Sequence, residues 1–205
     1  RKGNAHKSSD IGDKVIALKR FYGKNGEKEL YAVPCLPSAL TGTLAFTNAS
    51  ATVTGTSTLF TTELVVNNWI RLDAHDIWCQ VKAIASATSL TLTSVYSGAT
   101  ASGAGSKFVN TIKKWGETVS GAGTNLTLPP DVFLTPNERG VFEQFQERTY
   151  YSNRTEPVLE IEKANDTVRK AGLSSPDRET ILNFCEADEW TLGGDAGNSK
   201  GLDKN

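Results

Sequence analysis

Residues 42–95 read GTLAFTNASATVTGTSTLFTTELVVNNWIRLDAHDIWCQVKAIASATSLTLTSV, and this stretch decides the fold class. Across 42–106 only Glu63, Arg71, Asp73, Asp76 and Lys82 are charged, 5 of 65 positions, so Thr and Ser set the character of the surface. Short β-prone runs recur at 43–47, 51–54, 69–72, 77–84 and 89–95, each bounded by Asn, Gly, Asp or Ser. Leu90 and Leu92 alternate with Thr91 and Thr93, the period of a half-buried strand. Threonine is stiff at χ1 and suits the solvated face of a strand. Strands of this length and spacing predict a small antiparallel barrel or sandwich over 42–106, with residues 58–64 turning a corner as one helical turn. Its expected core is Trp69, Ile70, Trp78, Val81, Ile84, Leu90 and Leu92.

Residues 1–41 form a basic arm and a hairpin. In 1–30 there are 8 Lys or Arg against 4 Asp or Glu, a local charge of 8 − 4 = +4. Residues 14–22 alternate as a strand does, Gly23-Lys24-Asn25-Gly26 supplies a turn, and 29–33 form the return strand. Pro34 and Pro37 then stop it. Residues 107–134 read as strand and linker returning to that hairpin. The phrase Ser-Gly-Ala-Gly at 102–105 recurs at 120–123, which marks two turns because no longer period accompanies it.

Residues 135–192 read as helical and acidic. Thr135-Pro136-Asn137-Glu138 has the form of a capping box with Pro at the first helical position, followed by Val141, Phe142 and Phe145. A second helix is expected from Pro157, carrying Val158, Ile161, Asn165 and Val168 and stopping at Gly172. A third is expected from Ser175-Pro176-Asp177, carrying Ile181, Leu182 and Cys185. In 135–190 there are 12 acidic and 7 basic residues, a local charge of −5. Residues 193–205 read as a flexible tail. The expected class is therefore mainly β with a helical C-terminal third, α+β overall.

The whole chain of 205 residues has a formal charge of −1, from 22 basic and 23 acidic residues, which argues against a dedicated nucleic-acid binder. No apolar run approaches the roughly 18 residues of a membrane helix, so no membrane insertion is expected. Met is absent and residue 1 is Arg, from which a processed or cut product is expected. Cys35, Cys79 and Cys185 are odd in number and far apart, which disfavours a disulfide framework or a zinc site. No signal-peptide core is present at the N-terminus, and synthesis in a cytoplasm with reduced thiols is the expectation.

Candidate chemistry is sparse. Asp73-Ala74-His75-Asp76 is the one dense run of metal-type side chains, and it falls between two strands, where Asp favours turns. His6 and His75 are the only histidines, so any nucleophilic machinery would have to use one of them. Cys79 beside Trp78 reads as packing rather than as a nucleophile. Gly121-Ala122-Gly123 lacks the following helix that a phosphate-binding loop needs. Sequons at Asn48, Asn125, Asn153 and Asn165 are chance matches in Thr-rich sequence without a secretory signal. No catalytic residue, cofactor or metal ligand is assigned.

The run from Gly42 through Val53-Thr54-Gly55-Thr56, Phe60-Thr61, Trp69-Ile70-Arg71, Val81-Lys82-Ala83-Ile84 and Ser89-Leu90-Thr91-Leu92-Thr93 resembles a small β-module of tailed-bacteriophage virion proteins. The flanks Leu18-Lys19-Arg20-Phe21-Tyr22, Lys28-Glu29-Leu30-Tyr31-Ala32, Leu128-Pro129-Pro130 and Tyr150-Tyr151-Ser152-Asn153 are similar to phage tail proteins with propeller-like or sheet-rich bodies. In those proteins the module is inserted after the first hairpin. The resemblance covers about 1–130 and touches 150–153, and beyond it the chain reads helical where such a body would add strands. It implies a structural tail, neck or adaptor protein of the virion, meeting other virion proteins and copies of itself in a ring. The expected contacts are Arg1, Lys2 and Lys7 on the basic arm and Trp69, Arg71, Trp78 and Tyr96 on the module. Two alternatives stay open. One is a carbohydrate- or receptor-binding module of a tail fibre meeting a host-surface glycan through Trp69, Trp78 and Tyr96. The other is a cell-wall or capsule hydrolase.

Overall fold

Alternating apolar residues at the start of the chain become an antiparallel pair, β1 (Val15–Tyr22) and β2 (Lys28–Pro34), in register from Ala17↔Val33 to Tyr22↔Lys28. The computed structural model describes residues 14–172 apart from 24–25, 117–121, 146–147 and 163–164. The expected Asn-Gly turn lies partly outside these residues. What is described is a wider loop, in which the Gly23 N–H donates to the Glu27 carbonyl (2.8 Å) and Gly26 takes φ +82°.

The Thr-rich stretch folds into eight short strands: β3 (Pro37–Ala39), β4 (Thr43–Phe46), β5 (Thr52–Thr56), β6 (Trp69–Leu72), β7 (Cys79–Ser86), β8 (Ser89–Leu92), β9 (Ala101–Gly103) and β10 (Gly105–Phe108). Residues 101–108 form one kinked path. Its first half pairs with β4 (Leu44↔Gly103) and its second half with both β3 (Ser106↔Ala39) and β6 (Ser106↔Arg71). With β4–β5, β5–β8, β8–β7 and β7–β6 also paired, the sheet returns on itself as a closed barrel. Its interior is filled by Leu44, Phe46, Val53, Ile70, Leu72, Val81, Leu90 and Leu92, all buried. Ile84, expected in this core, is only partly buried against it. The corner at 58–64 contains one helical turn, α1 (Phe60–Glu63), whose fully buried Phe60 joins the same core. Burying such a side chain contributes about 1.5–3 kcal/mol. Closure removes most free edges from this module, since a barrel pairs every strand on both sides.

After the barrel the chain returns to the hairpin. β11 (Ile112–Trp115) pairs with β2 (Lys114↔Tyr31), and β12 (Thr124–Leu126) pairs with β11, giving the sheet order β1-β2-β11-β12. The barrel is thus inserted between two neighbouring strands of one sheet.

The helical reading of 135–192 is wrong wherever that segment is described. Residues 141–170 form a second four-stranded antiparallel sheet: β13 (Val141–Phe145), β14 (Arg148–Ser152), β15 (Leu159–Glu162) and β16 (Thr167–Lys170). Mainly β, with three sheets, is therefore the class in place of α+β. Asn137 sits at φ +67°, outside any right-handed helix, and Thr135–Glu138 is a turn in which the Glu138 N–H donates to the Thr135 carbonyl (3.4 Å). Of the apolar trio read as a helix face, Phe142 is buried, whereas Val141 (58% exposed) and Phe145 (65%) stand outside. That is a two-residue period with one inward position. Asp166 takes φ +56° in the tight connection that folds Val168 back beside Ile161. Pairing of consecutive strands over a shared core outweighs a local capping signal of about 1 kcal/mol. The third expected helix and the tail lie outside the described residues.

The two four-stranded sheets share one core. Phe21, Tyr31, Val33 and Ile112 of the first pack with Phe142, Tyr151, Leu159, Ile161 and Val168 of the second, and the linker adds Leu128, Val132 and Leu134. Tyr31 and Phe142 meet with ring centroids 6.3 Å apart. Strands β1 and β13 run side by side, tied by Gly140 N–H to the Ile16 carbonyl (3.2 Å), Lys19 to Glu143 (3.4 Å) and Tyr22 to Gln144.

Candidate functional site

The residues expected to make contacts on the module gather where the barrel meets the paired sheets. Trp69 and Arg71 come from β6, and Trp78 from the loop that leads into β7. Alternation on β6 buries Ile70 and Leu72 inside the barrel, so Trp69 and Arg71 face outward. The outward side here is not open water, since Trp69 and Trp78 are both half-buried against the core of the paired sheets. The Trp78 ring meets Phe108 edge-on at 5.9 Å, and the Arg71 guanidinium carbon lies 4.7 Å from its centroid. Arg71 Nη1 donates to Asp76 Oδ1 at 2.8 Å. This cation–π and ion-pair arrangement pins the loop over the indole.

Tyr96 is buried, packs on Phe46 at 4.9 Å and hydrogen-bonds His75 Nδ1 through its hydroxyl. It therefore shares no aromatic platform with the two tryptophans. Within the Asp73–Asp76 run each titratable side chain takes a different partner: Asp73 accepts from Ser106 (2.7 Å), His75 from or to Tyr96, and Asp76 from Arg71. The run is spread apart by its own bonds, as a turn rather than a ligand cluster. Burial pushes the Cys79 thiol up to about 11 and raises Cys35 as well. Arg1, Lys2 and Lys7 lie outside the described residues.

Three hollows border these elements. One of about 240 Å³ opens beside Trp69 and Trp78 and is rimmed by Gln80, Thr93, Ser94 and Ser97. A second, of about 310 Å³, lies at the junction among Lys14, Cys35, Arg71, Asp76 and Asn137. The largest, about 840 Å³, is an open groove between the edge strands β12 and β16, with Leu126, Leu128 and Val168 along it. Near that groove Lys114 bridges the two sheets, 3.0 Å from Glu29 and hydrogen-bonded to Asp166, while the Tyr31 hydroxyl donates to Glu29 (2.8 Å). Burial works to lower the Lys114 pKa, yet the two carboxylates hold it above its ordinary value.

Sequence reasoning missed this ion cluster and the rim of the 240 Å³ hollow. Gln80 and Ser94 are 14 positions apart and meet only because β7 and the segment after β8 lie side by side, with the Thr93 N–H bonded to the Gln80 carbonyl (2.8 Å). No sequence spacing marks such a pair.

These elements define a class: among the described residues, a mainly β chain in which a closed Thr-rich barrel is inserted into one of two packed antiparallel sheets. No family model matches the chain. No curated protein matches it either. Among solved structures, a phage phi92 endosialidase aligns at 14% identity over 78% of this chain and 30% of that one, with a TM-score of 0.23. This chain thus spans under a third of that protein's length, and a likeness of that size carries no argument about fold or activity.

Proposed function

We propose that this chain is a structural protein of a tailed-phage virion, a tail, neck or adaptor part that works through contacts between subunits. The observation that carries the reading is an apolar stripe on the two adjoining edge strands. Leu18 (58% exposed) and Tyr22 stand outward on β1, and Val141 and Phe145 stand outward on β13. The ties at 16/140, 19/143 and 22/144 set these strands alongside each other, which brings the two exposed apolar pairs onto adjoining strands. Large apolar side chains grouped outside mark a contact surface. The occupant we assign is a second copy of this chain, in a closed ring. Charge supports like meeting like, because a +4 N-terminal zone and a −5 C-terminal zone sit on one molecule.

The expected mode of contact changes in one respect. The contacts expected on the module are Trp69, Arg71, Trp78 and Tyr96, whereas the exposed apolar side chains belong to the paired sheets. Part of the opposed charge is also matched within the chain, through Lys19–Glu143. The sequence resemblance over 1–130 supplies the virion context. Particle imaging at a resolution that traces chains tests it: this protein should occupy a ring with the β1/β13 face against its neighbour. Its absence from the particle overturns the reading.

A further inference from the structure

We propose that Lys114 and Asp166 condense into a side-chain amide that ties the two sheets together, with Glu29 carrying the protons. The bond is independent of the subunit contacts proposed above and would survive their failure. Three separate parts of the chain meet at one amine: Lys114 comes from β11, Glu29 from β2 and Asp166 from the connection between β15 and β16. Lys114 Nζ lies 2.5 Å from Asp166 Oδ1 and 3.0 Å from Glu29 Oε1. The other oxygen of Glu29, Oε2, accepts from the buried Tyr31 hydroxyl at 2.8 Å, which fixes this carboxylate beside the amine. The side chains of Lys114 and Glu29 are largely buried, whereas that of Asp166 reaches solvent. The contacts assign the roles. Asp166 is nearer to Nζ and open to water, so it is the acceptor of the bond, and Glu29 is held by Tyr31, so it is the base.

An ammonium and a carboxylate together hold every atom of one amide and one water molecule, so the step needs no further reactant. The resting amine is charged between its two carboxylates. Glu29 takes a proton from Nζ, which frees the nitrogen lone pair, and delivers it to the Asp166 carboxylate, which becomes neutral. Nζ then attacks Cγ of Asp166 and the N–C bond forms. Glu29 takes a second proton from the nitrogen and passes it to the departing hydroxyl. The C–O bond breaks, water leaves towards solvent, and Glu29 ends as the carboxylate it began as. Holding the two groups in contact supplies an effective molarity of up to about 10⁵–10⁸ M, which offsets the tendency of water to reverse the step. The amide N–H that remains keeps Glu29 as its acceptor, so the buried carboxylate is not left without a partner.

A plain ion pair keeps all its atoms, so mass separates the two states. The test is the intact mass of the folded full chain, read under denaturing conditions after incubation until it no longer changes. It should fall below the mass of the sequence by one water, and protease digestion should release a branched peptide that joins Lys114 to Asp166. Lys114→Arg keeps the charge and lacks the nucleophile, and Glu29→Gln keeps an oxygen for Tyr31 and lacks the base. Both should retain the wild-type circular dichroism and lose no water. A wild-type chain of undiminished mass, a branch at any other pair, or loss of water in folded Lys114→Arg would each overturn the bond. Loss of water in folded Glu29→Gln would overturn the part given to Glu29. If a variant fails to fold, the wild-type mass and the branched peptide decide by themselves.

Discussion

Gln144 clamps Tyr22 from both sides of its peptide: its Oε1 accepts from the Tyr22 N–H at 3.2 Å, and its Nε2 donates to the Tyr22 carbonyl at 2.8 Å. A side-chain amide here imitates the backbone of a neighbouring strand and joins the edge of one sheet to the edge of the other. Gln144→Ala removes both bonds. We expect a loss of about 1 kcal/mol in urea unfolding, since both groups then turn to water, and a midpoint lower by ~2–4 °C. Faster hydrogen exchange at the Tyr22 amide is the more specific readout. Unchanged exchange there would show that the clamp is not formed in solution.

The apolar stripe gives a second prediction. Phe145→Asp together with Leu18→Asp should convert an assembled species to monomer in sedimentation, with circular dichroism unchanged, because both side chains are already more than half exposed within one chain. A wild-type chain that stays monomeric at every concentration counts against the β1/β13 face as a self-contact.

Gly42 carries the bend between β3 and β4. It takes φ +82°, and a Cβ there would stand 2.5 Å from the Thr56 carbonyl oxygen, which is backbone and cannot swing away. Gly42→Ala should destabilise the protein by about 1–3 kcal/mol or more, read as a lower thermal midpoint. Gly103, with open space around it, is the control: Gly103→Ala should be close to neutral.

Glu160 is the acid-sensitive point of the second sheet. Hydrogen bonds from Arg169 foremost, and the charge of Arg148, hold its carboxyl below the ordinary value of 4.5. A depressed folded pKa contributes stability that is complete above 4.5 and lost as pH falls through the folded value. Glu160→Gln should therefore be less stable than wild type at neutral pH and should converge with it in acid. Denaturant melts across that range check the sign, and parallel curves at every pH would refute it.

Cys79 and Cys35 should resist alkylation in the native state. Burial raises both thiols, that of Cys79 to about 11, so little thiolate exists at neutral pH. Iodoacetamide applied to a Cys185→Ser protein should label it only on unfolding, as followed by intact mass.

The strands of the middle third were legible because each carries its own alternation. Leu90 and Leu92 face the barrel interior while Thr91 and Thr93 do not, and no distant contact is needed to see it. The segment after 134 misled for the opposite reason. Thr135-Pro136-Asn137-Glu138 is a real local signal for a helix start, but its worth is about 1 kcal/mol, and the pairings Phe142↔Tyr151 and Ile161↔Val168 bury four large side chains instead. The aromatic platform failed similarly. Trp69 and Trp78 do come together, yet Tyr96 turns inward to Phe46 and His75.

The sequence by itself determined the strand character of the middle third, the hairpin at the start and the scarcity of charge on the barrel surface, because period and composition act over a few residues. Only the tertiary structure decided that the barrel closes, that the last described segment joins a second sheet, and that Gln80, Ser94 and two tryptophans surround one hollow. Those outcomes depend on separate strands being paired and buried over a shared core, and the energy of that burial appears only once the partners have met.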